Sequence, residues 1–151
     1  MIQYRLAKIE EIDFLVELRL KEMAMFTDIP FPKEHIEDIR SFYELKMKDN
    51  TCFTVLGYDK DILVTTGMIY FYHSLASNAN PSGKTGYISN IWTHDQYRRQ
   101  GIASEVMDQL LELAKGKCGM VCLNASEEGR GLYEKKSFVQ NERAMIYIMK
   151  E

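Results

Sequence analysis

The segment from residue 87 to residue 114 most constrains the fold, because two hydrophobic patterns of different period meet in it. Residues 87–93 are rich in aromatic and β-branched side chains, which favour a half-buried strand. Further along, apolar residues recur at helical spacing. They are Ile102, Val106, Met107, Leu110, Leu111 and Ala114. A strand followed closely by an amphipathic helix predicts a layered fold in which the helix packs on a sheet.

The turn between these two elements is cationic and contains a glycine, Gly101. Backbone N–H groups in the first turn of a helix lack intrahelical acceptors, and the helix dipole adds partial positive charge there. Gly101 lets a ligand approach the backbone closely, while Arg98 and Arg99 can donate charge-assisted hydrogen bonds to phosphate oxygens. The turn is therefore predicted to bind a pyrophosphate.

The other elements follow from hydrophobic period and from turn residues. They are strands over residues 1–6, 51–58, 62–72, 119–124 and 143–149, and helices over 8–25, 33–48 and 127–136. Pro30 and Pro32 separate the first two helices, and a polar loop covers residues 74–86. This order predicts an α/β (α+β) fold with a mixed, mostly antiparallel sheet flanked by helices. We expect one domain over residues 1–151.

Composition argues against several classes of protein. The formal net charge of −3 disfavours a general nucleic-acid binder, and no apolar run approaches the roughly 20 residues of a membrane span. We therefore expect a cytoplasmic protein with no nucleic-acid or membrane partner. Cys52, Cys118 and Cys122 are odd in number and lie in strand-like segments, which favours buried thiols over disulfides. No metal site is predicted.

Two motifs in the chain, Arg98-x-x-Gly101-x-Ala103 and Leu132-Tyr133-Glu134-Lys135 with Phe138, resemble those of the GNAT family of N-acetyltransferases. The spacing Arg98-x-x-Gly101-x-Ala103 resembles the family's coenzyme A signature, Gln/Arg-x-x-Gly-x-Gly/Ala. The later segment Leu132-Tyr133-Glu134-Lys135 with Phe138 is similar to the family's Leu-Tyr-Glu-Lys-x-Gly-Phe, although Ser137 replaces the glycine. The predicted order of elements also matches the family's fold.

The resemblance implies acetyl transfer from acetyl-CoA to an amine acceptor, by direct attack in a ternary complex. Tyr133 would act as general acid toward the departing thiolate. The backbone of residues 91–93 would pair with the pantetheine arm, and an N–H on that strand could polarise the thioester carbonyl. The implied cofactor-binding residues are Ile91, Trp92, Thr93, Arg98, Arg99, Gln100, Gly101, Ile102 and Ala103, with Asn124 or Ser126 as a further contact.

The general base is left open. Many relatives carry a glutamate on the fourth or fifth strand, and this chain shows none there clearly. The alternatives are a water relay through Asn90 or Ser89, the carboxylate of Glu22 in the first helix, and His73 at the end of the third strand.

Two other functions also stay open at this point. One is a noncatalytic acyl-CoA-binding sensor on the same fold, and the other is an enzyme that transfers a longer acyl group. Phe31 or Trp92, if exposed, could contact the acceptor or a second subunit, which leaves a homodimer open as well.

Overall fold

A computed structural model describes residues 1–150, in which five strands form one sheet in the order β1-β2-β3-β4-β5. The strands are β1 (Gln3–Leu6), β2 (Cys52–Asp59), β3 (Ile62–His73), β4 (Lys84–Thr93) and β5 (Met120–Leu123). The first four are antiparallel to their neighbours, whereas β5 runs parallel to β4. The predicted mixed, mostly antiparallel sheet is confirmed.

Helices cover both faces of the sheet. They are α1 (Ile12–Ala24), α2 (Ile36–Lys48), α3 (Ile102–Ala114) and α4 (Arg130–Lys135). Successive side chains of a strand point to opposite faces. Ile69 of β3 therefore packs in the core under α3, while Met68 packs in a second core with α1 and α2. The sheet is thus the middle of three layers.

Gly67 of β3 allows α3 to lie close to the sheet, because a Cβ there would overlap the side chains of Val106 and Ile91. We expect Gly67→Ala to lower the free energy of unfolding by about 1–3 kcal/mol, the usual cost of overpacking a core. Urea unfolding measures this change. The control is Gly131→Ala in α4, where a Cβ has no heavy atom within 4 Å. A wild-type urea midpoint for Gly67→Ala would contradict the close packing.

The regular antiparallel pairing of β3 with β4 is interrupted at one point. Thr66 pairs with Trp92 but Met68 pairs with Ser89, so the register shifts opposite Asn90 and Ile91. Asn90 adopts a left-handed backbone conformation with φ of 56°. Such a bulge bends a strand and redirects its side chains. On the other side of β4, pairing with β5 stops at Ile88, so residues 89–93 have no strand neighbour there within residues 1–150.

Several predicted boundaries move, and one predicted element is wrong. Strand β4 begins at Lys84, inside the predicted loop, and α4 covers only Arg130–Lys135. Residues 143–149 do not form the predicted strand and are exposed. Their apolar run, which contains β-branched and aromatic residues, favours a strand. A strand also needs a neighbour for its backbone groups, and no strand within residues 1–150 pairs with this segment. None of the helices within residues 1–150 is long and apolar enough to span a membrane.

Two smaller findings concern Ser137 and the three cysteines. Ser137, which stands where the resembling motif has glycine, adopts φ of 72° and so accepts the conformation that glycine would favour. Cys52 is buried, whereas Cys118 and Cys122 are only half-buried, and all three are free thiols. Burial raises the pKa of the Cys52 thiol to about 12.

Candidate functional site

A cleft of about 1210 Å³ opens between α1, α2, the bulged part of β4 and the start of α4. Its polar surface includes Glu22, Asn90 and Tyr133. Its wall carries aromatic and apolar side chains from the loop after α1, from α2 and from the sheet. These include Phe26, Ile29, Phe31, Phe42 and Tyr70. The cleft therefore combines a few polar groups with an apolar wall, which is typical of a small-molecule site.

A hydrogen-bonded network holds the polar surface of the cleft in place. Arg19 Nη1 donates to Asn90 Oδ1 over 2.6 Å, and Asn90 Nδ2 donates to the Tyr43 hydroxyl over 3.2 Å. The Thr66 hydroxyl lies 2.9 Å from the Asn90 carbonyl oxygen and 3.0 Å from Glu22 Oε1, to which it donates. Asn90 thus joins α1, α2 and β4 at the point where β4 bulges.

Glu22 is a carboxyl group with very little access to water. Its residue is 7% exposed, and its exposed surface faces the cleft. Burial raises the pKa of this carboxyl from 4.5 to about 7, against the opposing effects of the Thr66 hydrogen bond and the Arg19 charge. At neutral pH both the acid and the carboxylate are therefore populated, which suits a group that accepts a proton.

Tyr133 lines the same cleft from α4. The residue is 8% exposed, and its ring packs edge-on against Phe138 with centroids 6.0 Å apart. The ring also lies against Gly129, where a Cβ would approach it to 2.9 Å. Burial raises the pKa of Tyr133 above its ordinary value of 10, so the hydroxyl keeps its proton at neutral pH. Within residues 1–150 this hydroxyl has no hydrogen-bond partner of its own.

The cationic turn precedes α3 as predicted. Gly101, the residue before the helix, has φ of 78°, and Arg99 has φ of 63°. Arg98 is tied to both sides of the turn, since its guanidinium lies 3.2 Å from Asp95 Oδ1 and 3.3 Å from Glu128 Oε2. Its Nε also donates to the Thr93 carbonyl over 3.4 Å. The turn is thereby anchored to the end of β4 and to the loop before α4.

The other predicted site residues divide between the cleft and its surroundings. Those that line the cleft are Ser89, Asn90, Ile91, Asn124 and Ser126. Trp92 and Thr93 continue β4 toward the turn, and Thr65 bonds both of them, through the Trp92 carbonyl at 2.9 Å and the Thr93 hydroxyl at 3.1 Å. The Ile102 side chain is buried, so only its backbone is available to a ligand.

One of the alternative bases, His73, lies outside the cleft. It is exposed at the end of β3, opposite Lys84. Phe31 and Trp92 are half-buried rather than exposed.

Within the described residues, no group of three or more histidine, cysteine, aspartate or glutamate side chains is arranged to hold a metal ion.

Arg19, Tyr43 and Thr66 were missed by sequence reasoning. Their contacts to Asn90 or Glu22 join residues that are 24–71 positions apart in the chain, which no local pattern shows. One signal was available for Glu22. It follows Leu15 by two helical turns and therefore lies on the apolar face of α1, where a glutamate is unusual.

Comparisons with known proteins agree with this geometry. Residues 14–138 match the model of the acetyltransferase (GNAT) family. A predicted acetyltransferase from Clostridium acetobutylicum, solved with acetyl-CoA, is 26% identical to this chain. The alignment has a TM-score of 0.87 and covers 98% of this chain and 96% of that one. A comparison with curated proteins finds no match.

Two further structures share the fold at lower identity. Glucosamine-6-phosphate N-acetyltransferase from Arabidopsis thaliana is 18% identical, with a TM-score of 0.71 and 99% of each chain covered. Ribosomal-protein-alanine N-acetyltransferase from Brucella melitensis is 19% identical, with a TM-score of 0.65. That alignment covers 100% of this chain and 99% of the other. Since the family model matches most of the sequence, the chain belongs to the acetyltransferase (GNAT) family.

Proposed function

We propose that the protein transfers an acetyl group from acetyl-CoA to an amine by direct attack in a ternary complex. The observation that carries this proposal is that one cleft is lined both by Glu22, which can accept a proton, and by Tyr133, which can donate one. The acetyl-CoA bound to the Clostridium acetobutylicum relative supports the choice of donor.

The cofactor would lie along the opening between β4 and β5. Arg98, Arg99 and the N–H groups at the start of α3 would bind its pyrophosphate. The backbone of residues 91–93, which has no strand neighbour on that side within the described chain, would hydrogen-bond the pantetheine arm. Asn124 and Ser126 lie on the opposite side of this opening and would contact the same arm. This arrangement directs the thioester toward Tyr133.

The proposed reaction moves one proton at each end of the acyl transfer. The lone pair of the acceptor amine attacks the thioester carbonyl carbon, and Glu22 takes the proton that the amine loses, directly or through a water held near Ser89 and Asn90. The carbon–sulfur bond then breaks, and the sulfur receives the electron pair. Tyr133 donates a hydrogen bond or a proton to this sulfur. The products are an amide and CoA, which leaves as the thiol if Tyr133 transfers its proton and otherwise as a thiolate that takes a proton from solvent.

Glu22 is preferred as base because it combines position with a suitable pKa. Its carboxyl lines the cleft, and the burial that raises its pKa to about 7 makes it a better proton acceptor than an ordinary carboxylate. His73 lies outside the cleft. Asn90 has no basic atom, and its amide already bonds Arg19 and Tyr43. We therefore assign Asn90 a positioning role.

The wall of the cleft indicates what kind of amine it would accept. Phe26 and Ile29 are exposed at the cleft although both are apolar, and Phe42 and Tyr70 extend the same surface inward. Covering this surface with an apolar ligand would be favourable by roughly 25 cal/mol per Å². The proposed acceptor is therefore a primary amine attached to an apolar or aromatic body.

The test is to mix the protein with acetyl-CoA and a panel of amines and to measure free thiol. We expect phenethylamine and alkyl monoamines to release thiol faster than spermidine or an amino sugar. Binding of acetyl-CoA without turnover across the whole panel would favour the noncatalytic sensor. Faster turnover with butyryl-CoA than with acetyl-CoA would instead favour the enzyme that transfers a longer acyl group.

Arg98 provides a separate prediction about donor binding. Removing its charge by Arg98→Gln should raise the KM for acetyl-CoA by roughly 10–100-fold, the usual value of a hydrogen bond to a charged group. The kcat should change little, because a pyrophosphate lies far from the reacting carbonyl. Steady-state kinetics measure both constants. The matched control is Arg143→Gln, also exposed but outside the turn. Equal KM changes in the two variants would contradict this role.

A further inference from the structure

Arg19 places a positive charge on the wall of the cleft. It lies on α1, is half-buried, and lines the cleft together with Glu22, which follows it by about one helical turn. Within residues 1–150 its guanidinium makes one side-chain hydrogen bond, to Asn90 Oδ1 over 2.6 Å, and no carboxylate oxygen lies within 4.0 Å of it. A guanidinium has five N–H donors, so most of them are left for a ligand.

The other half-buried arginine of the described chain, Arg40, has its counter-ions within the fold. Arg40 on α2 pairs with the carboxylates of Asp13 and Glu37, and it does not line the cleft. A partly desolvated charge without a counter-ion is unfavourable, and α1 and α2 remove that cost for Arg40. For Arg19 the described chain supplies no such partner, which leaves the place of a counter-ion to a ligand.

The remaining charged side chains of the cleft do not fill this place. Asp28, His35 and Asp38 are exposed, and Asp38 Oδ2 already lies 2.8 Å from His35 Nδ1. Glu22 accepts the Thr66 hydrogen bond. Its burial raises its pKa to about 7, so it carries only part of a negative charge at neutral pH. An anion from outside the chain is therefore the group that best completes Arg19.

Three tyrosines lie within electrostatic reach of this guanidinium. Tyr43 on α2, Tyr70 on β3 and Tyr87 on β4 all line the cleft. Burial raises the pKa of each hydroxyl, and the positive charge of Arg19 opposes that rise. An anion bound to Arg19 would thus lie among aromatic side chains that exclude part of the water, where a charge-assisted hydrogen bond is stronger than in bulk solvent.

We propose that Arg19 binds a carboxylate of the acceptor, and that the acceptor is an amino acid with an apolar or aromatic side chain. This deepens the acetyl transfer proposed above and rests on it. The planar fork of a guanidinium matches both oxygens of a carboxylate. Residues three apart on a helix have Cβ atoms roughly 5–6 Å apart, so Glu22 is placed to take a proton from an amine close to that carboxylate. The acceptor side chain would then cover Phe42 and Tyr70.

The carboxylate takes no part in bond making. The amine nitrogen forms the bond to the acetyl carbon, the carbon–sulfur bond breaks with its electron pair on sulfur, and the products are an N-acetyl amino acid and CoA. Arg19 acts by fixing the position of the amine for this attack. Its contribution should therefore appear as a preference among acceptors.

The first test compares L-phenylalanine with phenethylamine, which has the same ring and amine but no carboxylate, by thiol release from acetyl-CoA. In the wild-type enzyme kcat/KM should be roughly 10–100-fold higher for phenylalanine, the usual value of a hydrogen bond to a charged group. Arg19→Gln should lose this preference, whereas Arg19→Lys, which keeps the charge without the fork, should retain part of it. Comparing the ratio of the two acceptors between enzymes cancels the basicity of each amine and any general loss of activity.

Arg40→Gln is the matched control, because Arg40 is also half-buried but lies outside the cleft. This variant should keep the wild-type preference for phenylalanine. If wild type acetylates phenethylamine at least as well as phenylalanine, or if Arg19→Gln keeps the full preference, the carboxylate site is wrong while acetyl transfer to an amine still stands. An equal loss of kcat/KM for both acceptors in Arg19→Gln would also overturn it, and would assign Arg19 to positioning Asn90.

The second test measures binding without turnover. N-acetyl-L-phenylalanine and N-acetylphenethylamine are each titrated by calorimetry into the full chain with saturating CoA. We expect the first ligand to bind roughly 10–100-fold more tightly to wild type and to Arg40→Gln, and both ligands to bind alike to Arg19→Gln. If no amine is acetylated but this difference is present, the proposed reaction is wrong and the carboxylate site stands. Equal binding of both ligands to wild type would refute the site whichever amines react.

Discussion

Replacing Glu22 with glutamine is expected to lower kcat for acetyl transfer by about 10²–10⁴-fold at neutral to alkaline pH, the usual contribution of a general base. Glutamine has nearly the same shape and can still accept the Thr66 hydrogen bond, but it cannot take a proton. Thiol release with a saturating acceptor measures kcat, and calorimetry should show unchanged acetyl-CoA binding. The matched control is Glu17→Gln, an exposed carboxyl on the same helix.

The pH dependence separates a base from a residue that only supports the fold. Glu22 acts as the carboxylate, and burial raises its pKa to about 7. The ratio of wild-type to variant kcat/KM should therefore rise with pH by about tenfold per unit below 7 and level off above it. Taking this ratio cancels the titration of the acceptor amine, which both enzymes share. A ratio that does not change with pH would contradict the assignment.

The free energy of unfolding gives an independent check of the raised Glu22 pKa. Here the Glu22→Gln variant is expected to gain relative to wild type, whereas its activity is expected to fall. The pKa of Glu22 is higher in the folded state than its ordinary value of 4.5, so folding favours the protonated form. Its contribution to stability is complete below about pH 4.5 and is lost as pH rises through about 7. The glutamine variant has no such loss. Its free energy of unfolding should therefore increase relative to wild type as pH rises over this interval, although its activity is lower.

Replacing Tyr133 with phenylalanine is the second change with a large expected effect. It removes one hydroxyl and leaves the ring packed against Phe138 and Gly129, so the fold should be unchanged. We expect kcat to fall by about 10²–10⁴-fold, because the departing thiolate then lacks its hydrogen-bond donor. The raised pKa of Tyr133 favours hydrogen bonding over complete proton transfer, since a thiol has a pKa near 8.5.

The control for Tyr133 is Tyr147→Phe, which removes the same atom from an exposed tyrosine outside the cleft. Binding of acetyl-CoA should be similar in both variants, which assigns the loss to the chemical step rather than to the cofactor. If Tyr133→Phe turns over at the wild-type rate, the tyrosine is only a packing residue of α4.

The parts of the protein that follow from local pattern could be predicted from the sequence. The period of α3, the strand character of β4 and the cationic turn at Gly101 each depend on neighbouring residues, and the structure contains all three. The prediction of a strand over residues 143–149 was wrong because strand formation depends on more than the local sequence. Its composition suits a strand, but whether a strand forms depends on a partner edge that its own fold does not bring to it.

Sequence alone thus predicted the family, the order of the elements from β1 to α4 and the residues proposed to bind the donor, because these depend on spacing along the chain. Only the tertiary structure decided that Glu22 faces the cleft together with Ser89 and Asn90, and that His73 does not. Glu22 meets Thr66 across 44 residues of sequence, and Arg19 meets Asn90 across 71. The raised pKa of Glu22 exists only where the packed helices and sheet exclude water, so no local pattern could show it.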